Sequence, residues 1–207
     1  MPDDDIFDKT DTLGEKLLAL IDLPLFNDSP RIQTSDIACS LSLAHWQAAR
    51  ALLQAALLPS ALVVHRAQFE ALTRSCWVLF AASDAHIAKL AATLTLDTER
   101  AAKNMPQMAD MLADLAKKAH PNAYQSLARF KDNAWNALNS YVHAGIHPIR
   151  RHAEGYPTKL LHDVLRNTNG LAVISCMQAV VLSGRQPLQR ELLHVAAQYP
   201  ECMPPPL

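Results

Sequence analysis

Apolar residues recur at the three-to-four-residue spacing of α-helices along most of the chain, punctuated by proline and short polar clusters. Thr12 and Glu15 have capping-box spacing and predict a short helix to about Asp22, followed by a loop through Pro24 and the NDSP of residues 27–30. Thr34 or Ser35 is expected to cap a long helix to about Leu58. Its stripe is Ile37, Leu41, Ala44, Ala48, Leu52 and Ala55 or Ala56. Pro59 breaks it, and Ser60 opens a helix to about Ala82 that is apolar on nearly every side, as a central helix must be. Asp84 begins an amphipathic segment, Asp97 to Asn104 a short exposed helix, and Pro106 a helix with Met108, Met111, Leu112 and Leu115 inward. After His120-Pro121 a helix is predicted from about Asn122 to Gly145, then a cationic loop, IRRHAEGYP. Thr158 to Leu182 forms the next helix, and Gly184 and Pro187 separate it from a last one ending near Tyr199. The expectation is an all-α fold, an antiparallel helical bundle of four to five long helices with short extra helices. Residues 1–10 read as a disordered acidic tail, 11–199 as a single domain, and 200–207 as a Pro-rich tail that cannot be helical.

One segment departs from the ordinary pattern. Asn133 to Ile149, NAWNALNSYVHAGIHPI, has no charged residue but many hydrogen-bonding ones. Wound as a helix, it and the preceding turn set Leu127, Ala134, Leu138, Tyr141, Val142 and Gly145 on one side. Asn136, Asn139, Ser140, His143 and His147 fall on the other. A solvated face would carry Lys and Glu. Amides, a hydroxyl and imidazoles there predict a face covered by another helix, a second subunit or a ligand.

Composition narrows the classes. With 207 residues, half of them hydrophobic and only five glycines, the chain has material for one full helical domain. A net charge of −1 without a basic block argues against nonspecific duplex DNA binding. Cys39, Cys76, Cys176 and Cys202 lack metal-knuckle spacing, and the first three lie in apolar stretches as small buried residues of a reducing compartment. The acidic start has no apolar core of a signal peptide, and no apolar run approaches a membrane span. A cytoplasmic protein is expected, with no cofactor.

Two groups of residues can carry chemistry. On the central helix, Arg66, Glu70 and Arg74 share one sector, with Trp77 on the same stripe. Glu70 can pair with either arginine, and two cations against one carboxylate leave a surplus that fixes helix register or faces an anionic ligand. On the later segment, His143 is suited to move a proton, and Asn139, Ser140, His147, Arg150 and Arg151 are candidates to bind substrate or stabilise an oxyanion. His143 and His147 also form HxxxH. With His45 they resemble the three-histidine metal sites of DinB-like bundles, although Ala144 stands where HExxH has its glutamate.

HRAQFEALTRSCWVLFAAS, followed some seventy residues later by NSYVHAGIHPI, carries a broader resemblance. An R-x-x-x-E helix with a later S-x-x-H or N-x-x-x-H element resembles uncharacterised bacterial helical proteins similar to the HEPN (higher eukaryotes and prokaryotes nucleotide-binding) superfamily. It covers roughly residues 35–183. The resemblance implies a helical bundle that dimerises through its late helix, of a toxin or antiviral-defence type. Active members are metal-independent ribonucleases with an arginine a few residues before the histidine. No arginine precedes His143 so closely here, so a ribonuclease would recruit Arg66, Arg74 or Arg150. The alternative the resemblance leaves open is a noncatalytic homodimeric bundle that binds a nucleotide or a protein partner.

Overall fold

The computed structural model describes residues 4–205, so residues 1–3 of the expected acidic tail and the last two of the Pro-rich tail lie outside the described span. Ten α-helices follow one another: α1 (Asp4–Ile21), α2 (Pro30–Gln54), α3 (Leu58–Phe80), α4 (Asp84–Ala91), α5 (Leu96–Ala101), α6 (Met108–Lys118), α7 (Pro121–Val142), α8 (Ile146–Glu154), α9 (Thr158–Leu182) and α10 (Gln189–Ala197). Single 3-10 turns occupy Ala102–Asn104, Gln186–Leu188 and Pro200–Cys202. The described residues contain no strand, and none of their helices is long and apolar enough to cross a membrane.

Helix ends follow local chemistry. Ser29, not Thr34 or Ser35, caps α2: its Oγ accepts the Ile32 amide at 3.4 Å, and Pro30 sits in the first turn, where a missing N–H costs no bond. α2 stops at Gln54, short of the expected Leu58, because Ala56 turns into the left-handed region at φ 58°. Ser83 accepts the His86 amide at 3.3 Å and starts α4.

Two supposed tails belong to the fold. α1 begins at Asp4, with Ile6 and Thr10 buried, and the Thr12 hydroxyl donates back to the Asp8 carbonyl at 3.0 Å instead of capping a helix. At the other end Pro200–Cys202 forms a 3-10 turn with Cys202 fully buried. Asn169 explains both. Its Nδ2 donates to Thr10 Oγ1 at 3.2 Å and to the Cys202 carbonyl at 2.9 Å, while its Oδ1 accepts the Trp46 indole N–H at 3.0 Å. One buried amide ties α1, α2, α9 and the C-terminal turn, and each of its polar groups is answered.

α2, α3 and α9 pack on one another; α6 and α7 lie against α3, and α1 and α10 against α9. Apolar clusters occupy two regions, one around Leu13, Leu17, Leu58, Leu165 and Leu192, the other around Phe69, Trp77, Met111, Leu115 and Leu127. Between α2, α3 and α9 runs a polar seam. On α2, besides Thr34, the buried positions Ser35, Cys39, Ser42, Trp46, Ala49 and Leu53 are spaced alternately by four and three. Ser35 and Ser75 donate to each other's carbonyls at 2.9 and 2.8 Å, and Ser42 donates to the Gln68 carbonyl at 3.0 Å. Serine and alanine let helix axes approach closely, and their hydroxyls are satisfied there.

Most of the expected apolar stripe of α2 therefore points the other way, while Leu52, half-buried, packs against the core. Ile37 is 68% exposed and Leu41 50%, and Ala44 and Ala48 are exposed as well. α3 is the innermost helix, as its composition predicts, with His65, Gln68, Phe69, Leu72, Cys76 and Trp77 among its buried residues.

Candidate functional site at the α7–α8 elbow

The uncharged segment is not one helix. α7 ends at Val142, His143 is its C-cap, Ala144 adopts φ 49°, and Ile146 begins α8, where a loop was expected. Pro148 is tolerated because it stands in the first turn of α8. The Gly145 amide donates to the Ser140 carbonyl at 2.7 Å, and a Cβ on Gly145 would fall 2.6 Å from Ser140 Oγ. Ser140 Oγ instead accepts the His147 amide at 3.1 Å, so a residue of α7 caps α8 across the turn. Ser140, predicted to bind a ligand, is committed to holding the elbow.

This break splits the histidine pair. His143 is the C-cap of α7 and His147 lies in the first turn of α8, so the HxxxH spacing does not present them on one helical face. His45 lines a cleft between α2 and α3. Among the described residues no group of three or more His, Cys, Asp or Glu side chains is placed to hold a metal ion.

The polar face of α7 is not hidden within the chain. Asn136, His143 and His147 are exposed, and Asn139 and Ser140 are half-buried. The apolar side points inward as predicted for Leu127, Leu138 and Tyr141, while Val142 is 38% exposed. Asn139 contributes its carbonyl to the His143 backbone amide at 3.1 Å.

The elbow nevertheless collects several reactive groups. The His147 ring stacks on Tyr141 with centroids 6.4 Å apart and planes inclined by 23°. Burial, then the neighbouring Tyr156 phenol, raises the Tyr141 pKa above its usual value, while Arg151 pulls it down. Tyr156 has a buried hydroxyl without a hydrogen-bond partner. Arg150 pairs with Glu154 one turn on. Ile146 is 71% and Ile149 61% exposed beside these groups. Helical periodicity sets Tyr141 on the apolar side, and Tyr156 falls in the stretch expected to be a loop. The signal available for both was a phenol at each end of a histidine- and arginine-rich stretch.

The Arg-and-Glu stripe of α3 forms a separate group. Arg66 Nη2 donates to Glu70 Oε1 at 2.9 Å, and the Arg66 guanidinium lies 4.7 Å from the Trp135 ring centroid. α3 and α7 therefore meet through a cation–π contact. Among the described residues no hydrogen bond or ion pair joins His143 to Arg66, Glu70 or Arg74. Glu70 is 42% exposed on its side chain, so the ion pair contributes only ~0.3–0.5 kcal/mol. Arg74 lies half-buried 5.9 Å from the Trp77 ring. Burial lowers its pKa and Glu70 raises it.

No curated protein and no solved structure matches this chain. A family model matches residues 39–205, from the middle of α2 through the C-terminal turn and including both the α3 stripe and the elbow. On that match, which spans most of its length, the chain belongs to the Family of unknown function (DUF6988).

Proposed function

We propose that the chain is a HEPN-like helical-bundle protein of a bacterial toxin or antiviral-defence type, acting in the cytoplasm as a homodimeric, metal-independent endoribonuclease. The observation that carries this reading is the elbow, where exposed His143 and His147 and the Arg150 and Arg151 of α8 lie within one helix–turn–helix, with the buried Tyr141 beneath and Tyr156 just beyond its end. Strand cleavage without a metal needs a proton acceptor, a proton donor and a cation near phosphate, and imidazole and guanidinium supply all three. In the proposed step His143 takes the proton of a ribose 2′-hydroxyl as O2′ bonds to the adjacent phosphorus. The bond from phosphorus to O5′ breaks, and that oxygen takes a proton from His147. A cyclic 2′,3′-phosphate and a 5′-hydroxyl result. Arginine stabilises the charge on the phosphorane oxygens. Arg150 and Arg151 share the elbow with His143, which favours them over Arg66 and Arg74.

Exposed Val142, Ile146 and Ile149 beside the polar groups support a second copy of the chain seated there. Such a dimer also supplies the cover that the amide-rich face of α7 predicts. Four buried, free thiols suit a reducing cytoplasm.

The test incubates RNA with wild type and His143→Ala in the presence of EDTA, with circular dichroism to check folding. Wild type is expected to cut under EDTA and the folded variant to lose cutting. Equal cutting by the variant, or loss of cutting in EDTA, rejects the mechanism. RNA bound by wild type but left intact selects the noncatalytic binding bundle instead. Ile149→Asp is expected to halve the mass in sedimentation while the protein stays folded; an unchanged mass rejects the elbow as the dimer contact.

A further inference from the structure

A second site lies away from the elbow. Between α2, α3 and the start of α6 opens a cleft of about 470 Å³, within the range of small-molecule sites. Leu41 and His45 come from α2, Glu70 and Arg74 from α3, and Gln107 and Met108 from the start of α6. Its charge is unbalanced. Glu70 is engaged by Arg66 at 2.9 Å, and Arg74 Nη1 is buried with no hydrogen-bond partner. Nη1 itself is shielded from solvent, so an anion in the cleft meets the accessible part of the half-buried Arg74 guanidinium, whose neighbour Glu70 is already shared with Arg66. The walls mix polar and apolar groups, and the methionine side chains among them can reshape around different bodies. Half-exposed Leu41 on the rim gives part of the outward stripe of α2 a place in this cleft.

We propose that this cleft binds a small carboxylate with an apolar body, its carboxylate on Arg74 and its tail against Leu41 and Met108. Arg74 presents a planar fork that matches a carboxylate in two-point contact. His45, across the cleft on α2, supplies a further hydrogen-bonding edge. Glu70 stands beside Arg74 and disfavours a doubly charged phosphate relative to a monoanion.

The test uses hexanoate, with hexan-1-ol as its neutral counterpart, in isothermal titration calorimetry on the full chain. Hexanoate is expected to bind wild type at least ~10-fold more tightly than hexan-1-ol, the usual size of one charge-assisted contact. Arg74→Met is expected to reduce hexanoate to the level of the alcohol while the melting temperature of the free protein stays unchanged or rises. Ala38→Phe, which fills the cleft but leaves Arg74 in place, is expected to block both. Failure of hexanoate to bind wild type, or equal binding by Arg74→Met, overturns the proposal. An Arg74→Met protein that does not fold marks Arg74 as structural and overturns it too.

Discussion

His65 gives the fold a pH dependence that can be sized from its surroundings. It is fully buried on α3. Its Nδ1 lies 3.1 Å from Gln68 Oε1 and 3.0 Å from Thr168 Oγ1, and its ring meets Phe130 edge-on at 5.2 Å. Desolvation lowers its pKa from 6.5 to about 4, with the Gln68 hydrogen bond acting in the opposite direction. The folded protein thus resists a proton that the unfolded chain accepts. Between those two values the unfolded state binds more protons, so folding stability falls as pH drops through the window and levels off below it. The gap between the two values corresponds to ~3 kcal/mol, a substantial part of the ~5–15 kcal/mol typical of a domain. Urea unfolding of wild type and His65→Leu from about pH 7.5 to about pH 4 isolates this contribution, because other carboxylates and histidines titrate alike in both proteins. At the upper pH the variant is less stable by ~1–3 kcal/mol, since Gln68 Oε1 and Thr168 Oγ1 lose their partner. The difference then closes or reverses by ~3 kcal/mol as pH falls. Parallel curves for the two proteins refute the reasoning.

Two other outcomes follow from single contacts. Ser140→Ala removes the acceptor of the His147 amide and costs ~1 kcal/mol; amide exchange over residues 146–154 should accelerate while α3 and α9 stay protected. Gly145→Ala is more severe, because the added methyl meets Ser140 Oγ. All four thiols are free and buried, and burial pushes Cys76 and Cys176 up to about 12. Native protein should therefore react with a thiol reagent only at the rate of unfolding, and an immediate reaction of one cysteine contradicts the packing.

The helical class was legible because proline, glycine and capping residues punctuate a three-to-four-residue apolar rhythm. The span Thr158–Leu182 is found as predicted, and so is the central place of α3. The facing of α2 was not legible by hydrophobicity. The seam uses Ser35, Cys39, Ser42 and Ala49, whose advantage is small size and a satisfied hydroxyl, while bulkier Ile37 and Leu41 point outward. The ends were misread for a related reason. A polar opening and a Pro-rich close look like tails unless the buried Asn169, a partner for both Thr10 and Cys202, is already known. On α3, Arg66 and Glu70 pair as their spacing predicts. The end of α7 near Gly145 was legible from Gly145 and Pro148, but α8 was not, because its start depends on a left-handed alanine and on Ser140 capping across seven residues, which helical periodicity does not register.

The elbow is where the functional account stands or falls. NMR of the histidine ring protons, on adding an RNA oligonucleotide methylated at every 2′-oxygen so that it cannot be cut, reads it directly. Shifts of the His143 and His147 resonances, with buried His65 unmoved, are the predicted result. Elbow resonances that stay in place at saturating RNA, or shifts confined to histidines elsewhere on the chain, would contradict it.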